Sequence, residues 1–338
     1  MSDHELPQEL LAIADLVTPM AVRVAATLRL ADHIAAGTTT IDALAEQTGV
    51  NGDALGRIAD HLATVGVFVK DGKGSYGLGP LGRRLLSDDP ARSRDWLDIG
   101  GAVGRADLAL LRLLDTVRTG KPAYPMVFGR SFWEDLAADP ALSASFDALM
   151  GSHRQPDVSE LVNTYDWGRV GHVVDVGGGN ATLLSAILQA HPHLRGTLVD
   201  LPGPAAAAES NLAHQGLGER SAVVTGSFFD PLPAGADVYV LAEVLHDWDD
   251  DAASVILQQC GTAAGATGTV VIIEGLLNPD AERAVRTALD IRMLTYFAGR
   301  ERTLADFEAL GSKVGLVVSS IRRGPLRSMI EVKAANHQ

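Results

Sequence analysis

The stretch Val173–Leu188, VVDVGGGNATLLSAIL, runs from an apolar segment through three glycines into residues with helical apolar spacing. It reads as a strand, a tight turn and the start of a helix, the unit from which parallel α/β sheets are assembled. Gly177 and Gly179 have GxG spacing, but Thr182 stands where a dinucleotide-binding turn would place its third glycine. A glycine turn alone is often no more than a turn, so its neighbours must decide what it does.

Downstream, GTLVDLP, SAVVTGSFF, ADVYVLAEVL and TVVIIEGLL are short runs rich in β-formers, and segments such as AAAAESNLAHQG between them suit helices. This alternation predicts an α/β, Rossmann-like domain over residues 166–338, with a parallel sheet covered on both faces. Upstream the signals are almost all helical. Residues 8–34 carry apolar side chains at helical spacing, and residues 38–86 read as helix, turn, helix and a short hairpin around DGKG, a winged-helix pattern. The expected organisation is therefore 1–165, mostly helical and winged-helix-like, followed by 166–338.

A winged helix raises the possibility of a DNA-binding regulator. Between Gly52 and Gly66, where the recognition helix would lie, the only Lys or Arg is Arg57, set beside Asp53 and Asp60. A helix facing phosphates is not built that way, and a net charge of −14 repels nucleic acid and anionic membranes alike. The surplus apolar residues of 8–34 point instead to dimerisation. The acidic N-terminus does not resemble a secretory signal, no run of about eighteen apolar residues is evident, and Cys260 is the single cysteine. A cytoplasmic enzyme is the expectation.

Asp200 closes the second strand of the α/β half, about 20 residues after the glycine turn, where a carboxylate accepts hydrogen bonds from ribose hydroxyls. Asp175 adds negative charge beside the turn. A pyrophosphate would be repelled there, whereas a cationic nucleoside is favoured, and S-adenosylmethionine is such a ligand. At the end of the run DVYVLAEVL comes VLHDWDDD, Val244–Asp251. Asp249, Asp250 and Asp251 suit the capping of the following helix. His246, Asp247 and Trp248 are left at the carboxyl end of a strand, where open α/β sheets bind ligands.

With DVGGGNATL, GSFFDPLP, VLHDWDD and DIRMLTYFAGRERT in this order, nearly the whole chain resembles the small-molecule O-methyltransferases that act on phenols. These include the plant caffeate and flavonoid enzymes and the actinobacterial enzymes of aromatic polyketide antibiotics, of naphthoate and anthracycline type. The resemblance implies S-adenosylmethionine as cofactor, a homodimer formed through the helical N-terminal domain, an aromatic acceptor and no metal. It aligns His246 with the family's general base, a role suited to a side chain whose pKa lies near neutrality when a phenol must lose its proton.

It also aligns Glu274 and Glu301 with the two acids that flank that histidine. An acid ending an apolar strand needs a partner, which supports Glu274 independently; for Glu301, between Arg300 and Arg302, a solvated ion pair is the alternative reading. The resemblance places Ser227 and Phe228 at the adenine, although the family's usual motif has Asp where Ser227 stands. Asp247 holds the cofactor or orients its loop. Met293, Tyr296 and Phe297 fall where the family walls its substrate, with Phe146 and Met150 as further candidates. Arg292 pairs with a substrate carboxylate or is structural. The alternative activity is the hydroxylase or decarboxylase variant of the anthracycline branch, which keeps the cofactor without transferring its methyl group.

Overall fold

The computed structural model describes residues 5–153, 158, 162–277, 283–324 and 327–335. The chain forms two compact units, Met1–Leu108 and Ala109–Gln338. The division thus falls well before residue 165, where the change of sequence character had placed it. Helices that follow Leu108 pack with the α/β unit although their local sequence resembles that of the helices before it.

The first unit holds α1 (Glu5–Ala14), α2 (Val17–Thr27), α3 (Leu30–Ala35), α4 (Ile41–Thr48) and α5 (Gly52–Thr64), then the antiparallel pair β1 (Phe68–Lys70) and β2 (Tyr76–Leu78), and the short α6 (Ser93–Leu97) and α7 (Ala102–Asp107). Thr40 and Asn51 cap α4 and α5 by accepting from Ala43 and Ala54 N–H, and Gly49, at φ +69°, ends α4 in the left-handed conformation that glycine adopts without strain. Ala25, Leu30, Leu44, Leu55, Leu62 and Phe68 form its core. This is the winged-helix pattern expected. On α5, Arg57 is paired with Asp53 at 2.8 Å, so its charge is already balanced within the helix.

The segment Glu9–Thr27 is long and apolar enough to cross a membrane, with a mean hydropathy of 1.6, which the reading of the bare sequence had passed over. Asp15 interrupts it and accepts from Val17 and Thr18 N–H at the start of α2. Leu10 (66% exposed), Leu11, Ile13 (84%), Leu16 and Val17 form an apolar surface there.

In the second unit α8 (Leu113–Thr119), α9 (Tyr124–Phe128), α10 (Phe132–Ala138) and α11 (Pro140–His153) precede a seven-stranded sheet. Its elements in chain order are β3 (His172–Val176), α12 (Thr182–Ala190), β4 (Arg195–Asp200), α13 (Pro202–His214), β5 (Ser221–Thr225), β6 (Val238–Ala242), α14 (Asp250–Ala264), β7 (Thr269–Glu274), α15 (Arg283–Phe297), α16 (Leu304–Lys313), β8 (Leu316–Arg323) and β9 (Ser328–Ala334).

The spatial order is β5-β4-β3-β6-β7-β9-β8, parallel except for β9, which runs antiparallel to both β7 and β8. Successive side chains of a strand face opposite sides, and the two cores follow that period. Val174, Tyr239 and Leu241 pack under α14 and α16, while Val173, Val238 and Val240 pack under α12 and α13. Strand order reverses between β3 and β6, so the loops leaving these two strands flank the crevice in which doubly wound sheets bind ligands. The glycine turn follows β3 and the histidine follows β6.

Candidate active site

After β6 the chain turns sharply. Glu243 adopts φ +53°, unusual for a residue with a side chain, and its carboxylate is tied to Arg327 at 2.7 Å. Residues Leu245–Asp247 then form a single 3₁₀ turn. Three of the turn's backbone N–H groups converge on one atom: Glu274 Oε1, at the end of β7, accepts from Val244 at 3.1 Å, Leu245 at 2.9 Å and His246 at 3.4 Å.

The carbonyl side of the turn is held by Arg302, which is 1% exposed. Its guanidinium donates to Leu245 O at 2.6 Å, Trp248 O at 2.8 Å and Asp250 Oδ1 at 2.8 Å. Arg300 N–H donates to His246 O at 2.9 Å, and at Gly299 a Cβ would run into that same carbonyl, so this approach requires glycine. The histidine turn is therefore fastened from β7 on one side and from the segment Gly299–Arg302 on the other.

The imidazole Nδ1 lies 3.0 Å from Glu301 Oε1 and 3.7 Å from Glu274 Oε2, and Nε2 lies 3.4 Å from Asp247 Oδ1. Glu301 is 2% exposed, its N–H donates to Asp290 Oδ1 at 2.8 Å, and its Oε2 faces Arg286 Nη1 at 3.6 Å. A solvated surface pair with its sequence neighbours is thus not its setting. In the neutral imidazole a carboxylate on Nδ1 favours the tautomer that keeps the proton there and leaves the lone pair on Nε2. Burial by itself would lower the imidazole pKa, but Glu274, Asp247 and Glu301 outweigh it and hold His246 well above the ordinary value. Burial pushes the Glu274 carboxyl up to about 7, against the attraction of His246.

Across the crevice, Gly177 and Gly179 have φ +70° and +61°. A Cβ at Gly177 would press on Val244 Cγ2 at 3.0 Å and Phe228 Cε1 at 3.4 Å. The glycine turn thus touches both the histidine turn and the Ser227–Phe228 loop. Asp175 is buried beneath the turn, its carboxylate against Gly178. Asp200 accepts from Gly179 N–H at 2.8 Å and Leu201 N–H at 2.7 Å, which sets its carboxylate at the mouth of the turn. The Ser227 hydroxyl accepts from Phe229 N–H at 3.2 Å, and Phe228 meets Trp248 edge-on at a centroid distance of 5.7 Å.

Asp147 on α11 is one acid the sequence reading missed. Burial and the nearby Asp200 push its carboxyl up to about 6. Gly151, one turn on, lies so close to the Asn180 side chain that α11 abuts the glycine turn directly.

The remaining predicted residues gather on α11 and α15. Phe297 stacks on Trp133 at 5.3 Å and meets Phe132 edge-on at 5.0 Å, while Phe146 meets Trp133 at 5.8 Å and Phe132 at 5.4 Å. Tyr296 is buried and meets Phe297 at 5.6 Å. Met293 is buried, and its carbonyl accepts from Gly299 N–H at 3.1 Å, tying α15 to the histidine turn. Met150 and Arg292, both half-buried, lie one helical turn from Phe146 and Tyr296 respectively. Phe132 and Trp133 had gone unnoticed, because nothing in FWEDLAA distinguishes a pocket aromatic from a core one.

The residues at the crevice fit a cationic nucleoside. The left-handed glycines let the backbone approach closely, the acidic pair Asp147 and Asp200 favours positive charge, and Phe228 and Trp248 offer flat apolar faces. Facing them are a histidine with an oriented imidazole and a box of aromatic rings. Among the described residues no group of three or more His, Cys, Asp or Glu is arranged to hold a metal ion.

A Rossmann-like unit with these two loops at its switch point, joined to a winged-helix unit, defines a methyltransferase of the small-molecule type, and the chain belongs to the O-methyltransferase family. Residues 111–317 match the O-methyltransferase domain and residues 11–88 the O-methyltransferase dimerisation domain. The 2,7-dihydroxy-5-methyl-1-naphthoate 7-O-methyltransferase of Streptomyces carzinostaticus is 52% identical over 96% of this chain and 96% of its own length. Aclacinomycin 10-hydroxylase of Streptomyces purpurascens is 46% identical over 95% of this chain and 87% of its own. A crystal structure of the neocarzinostatin O-methyltransferase NcsB1, in complex with S-adenosylmethionine and 2-hydroxy-5-methyl naphthoic acid, superposes with a TM-score of 0.92 over 96% of this chain and 98% of that one, at 52% identity.

Proposed function

We propose that the protein methylates a phenolic hydroxyl of a flat, polyketide-derived aromatic compound, using S-adenosylmethionine, and that His246 removes the phenolic proton. The observation that carries this is the 3.0 Å contact between His246 Nδ1 and Glu301 Oε1, which leaves Nε2 as the proton acceptor. When bound, the cofactor supplies a methyl group on a sulfonium that departs as a neutral thioether. Asp200 accepts hydrogen bonds from its ribose, Asp147 and Asp200 favour its positive charge, and Gly177 and Gly179 give it room. Asp175 supports the turn from beneath. Ser227, Phe228 and Trp248 line the adenine side, and Asp247 stays beside Nε2.

The acceptor lies in the aromatic box, held by Phe146, Tyr296 and Phe297, with Met150 and Met293 completing its apolar walls. Its hydroxyl hands a proton to Nε2, the phenolate oxygen forms the bond to the methyl carbon, and Glu301 and Glu274 stabilise the imidazolium that results. Arg292, on the same helix as Tyr296, is suited to pair with a carboxylate on the acceptor. No bound metal is required by this scheme.

The apolar surface of α1 and α2, most of it within the segment that matches the dimerisation domain, supports a homodimer. The single cysteine, Cys260, is buried and leaves the chain without an internal disulfide, which suits a cytoplasmic enzyme.

The test is mass spectrometry of products from a set of hydroxylated naphthoates and anthracyclinones, incubated with methyl-labelled cofactor. Label in the product supports methyl transfer. A hydroxylated or decarboxylated product without label would identify the protein instead with the activity named for its relative aclacinomycin 10-hydroxylase.

A further inference from the structure

Trp133 follows Ser131, which caps α10 in a reciprocal box with Glu134, so its position on the first turn is well held. Its ring stacks on Phe297 at 5.3 Å and 15°, and on Trp248 at 6.3 Å and 13°. Phe132 and Phe146 present their edges to it at 5.2 and 5.8 Å, both at 87°. Trp248 stands two residues beyond His246, and Phe297 four residues before Glu301. The indole therefore lies between the wall that carries the base and the wall that carries its orienting acid.

The four rings around it offer no ordinary hydrogen-bond acceptor in their planes. Trp133 Nε1 is buried and has no acceptor among the described residues. Trp167 of the same unit shows the usual arrangement, its Nε1 donating to Val162 O at 2.9 Å. Burying an N–H without an acceptor is unfavourable, and phenylalanine would fill a purely apolar position without that cost.

We propose that the Trp133 indole N–H is a substrate-binding donor that selects aromatic acceptors bearing a second, sp² oxygen, a carbonyl or carboxylate, beside the reacting hydroxyl. This rests on the methyl-transfer reading for the position of the acceptor. The reacting hydroxyl gives its proton to His246, so it is the neighbouring oxygen that accepts from the indole. The two contacts fix the acceptor within the plane of its ring, which stacking alone leaves free to rotate.

The test compares wild type with Trp133→Phe, which keeps an aromatic ring and removes the donor, on a hydroxynaphthoic acid and the corresponding naphthol lacking the carboxyl group. Binding is measured by calorimetry in the presence of S-adenosylhomocysteine, and turnover is measured separately. For the acid, Kd and KM should rise about 10-fold more than for the naphthol, the scale of one hydrogen bond to a charged acceptor. Trp133→His, which retains a ring N–H, should recover part of the preference, and covers the case in which the phenylalanine variant does not fold. Equal effects on the two compounds, or none on either, would overturn the proposal. Selective loss of acid binding in a protein whose wild type transfers no methyl group would support the Trp133 contact while removing the methyl-transfer reading, so the two fail separately.

Discussion

His246 and Glu301 are separated by 55 residues, yet Nδ1 of one lies 3.0 Å from Oε1 of the other. In the proposed mechanism this contact orients the imidazole as the base. Replacing His246 with Asn keeps size and a hydrogen bond but removes proton acceptance. Turnover should fall by about 100- to 10,000-fold with cofactor affinity nearly unchanged, and the loss should shrink as pH approaches the acceptor's own pKa. Full turnover by folded His246→Asn at neutral pH would remove His246 from the mechanism.

The carboxylates around His246 hold its pKa well above the ordinary value, and only the neutral imidazole accepts a proton. Log kcat/KM in the wild type should therefore climb with pH through a limb on the alkaline side of about 6.5. Glu301→Gln should move that limb to lower pH and reduce kcat, because one stabilising charge is lost and the tautomer is held less firmly. The sign for stability is the reverse. A raised pKa in the folded state contributes stability in full below the unfolded value, and this is lost as pH rises through the folded one. An unmoved limb in Glu301→Gln would show that the acid does not act through the imidazole.

Asp200→Ala should weaken S-adenosylmethionine by about 1.5–3 kcal/mol, the scale of hydrogen bonds to a charged group. Asp147, whose carboxyl is pushed up to about 6, is ionised at neutral pH and becomes protonated below that value. Wild-type affinity for the cationic cofactor should accordingly fall as pH drops through about 6, and Asp147→Asn should flatten that dependence. Calorimetry across this range reads both effects.

Arg302 is buried and bridges two carbonyls of the histidine turn and the carboxylate of Asp250. Arg302→Met leaves the two carbonyls without their donor, whereas Asp250 is exposed enough to be hydrated, so the folded state should lose about 1–3 kcal/mol for each unpaired carbonyl. Chemical denaturation reads the loss directly.

The exposed apolar residues of α1 and α2 should be covered in a dimer burying more than about 2,000 Å². Leu11→Glu together with Ile13→Glu should shift the sedimentation coefficient toward that of a monomer at micromolar concentration. A wild-type protein that sediments as a monomer would contradict the homodimer.

Much of this is legible in the sequence alone. Periods of two and of 3.6 residues are local, so VVDVGGGNATLLSAIL announced a strand, a turn and a helix, and a histidine just beyond an apolar run announced a side chain at a strand end. The parallel sheet followed from their alternation, because parallel strands need crossovers and crossovers need helices. Packing across large sequence separations left no local mark. Residues after Leu108 look as helical as those before it, and only their contacts assign them to the second unit. Glu301 between two arginines has the appearance of a surface charge until β7 and α15 enclose it, and Arg302 appears equally ordinary until its guanidinium is seen gripping the histidine turn. Trp133 and Asp147 were invisible for the same reason: a side chain's chemistry depends on what surrounds it, and the chain folding on itself is what brings those surroundings together.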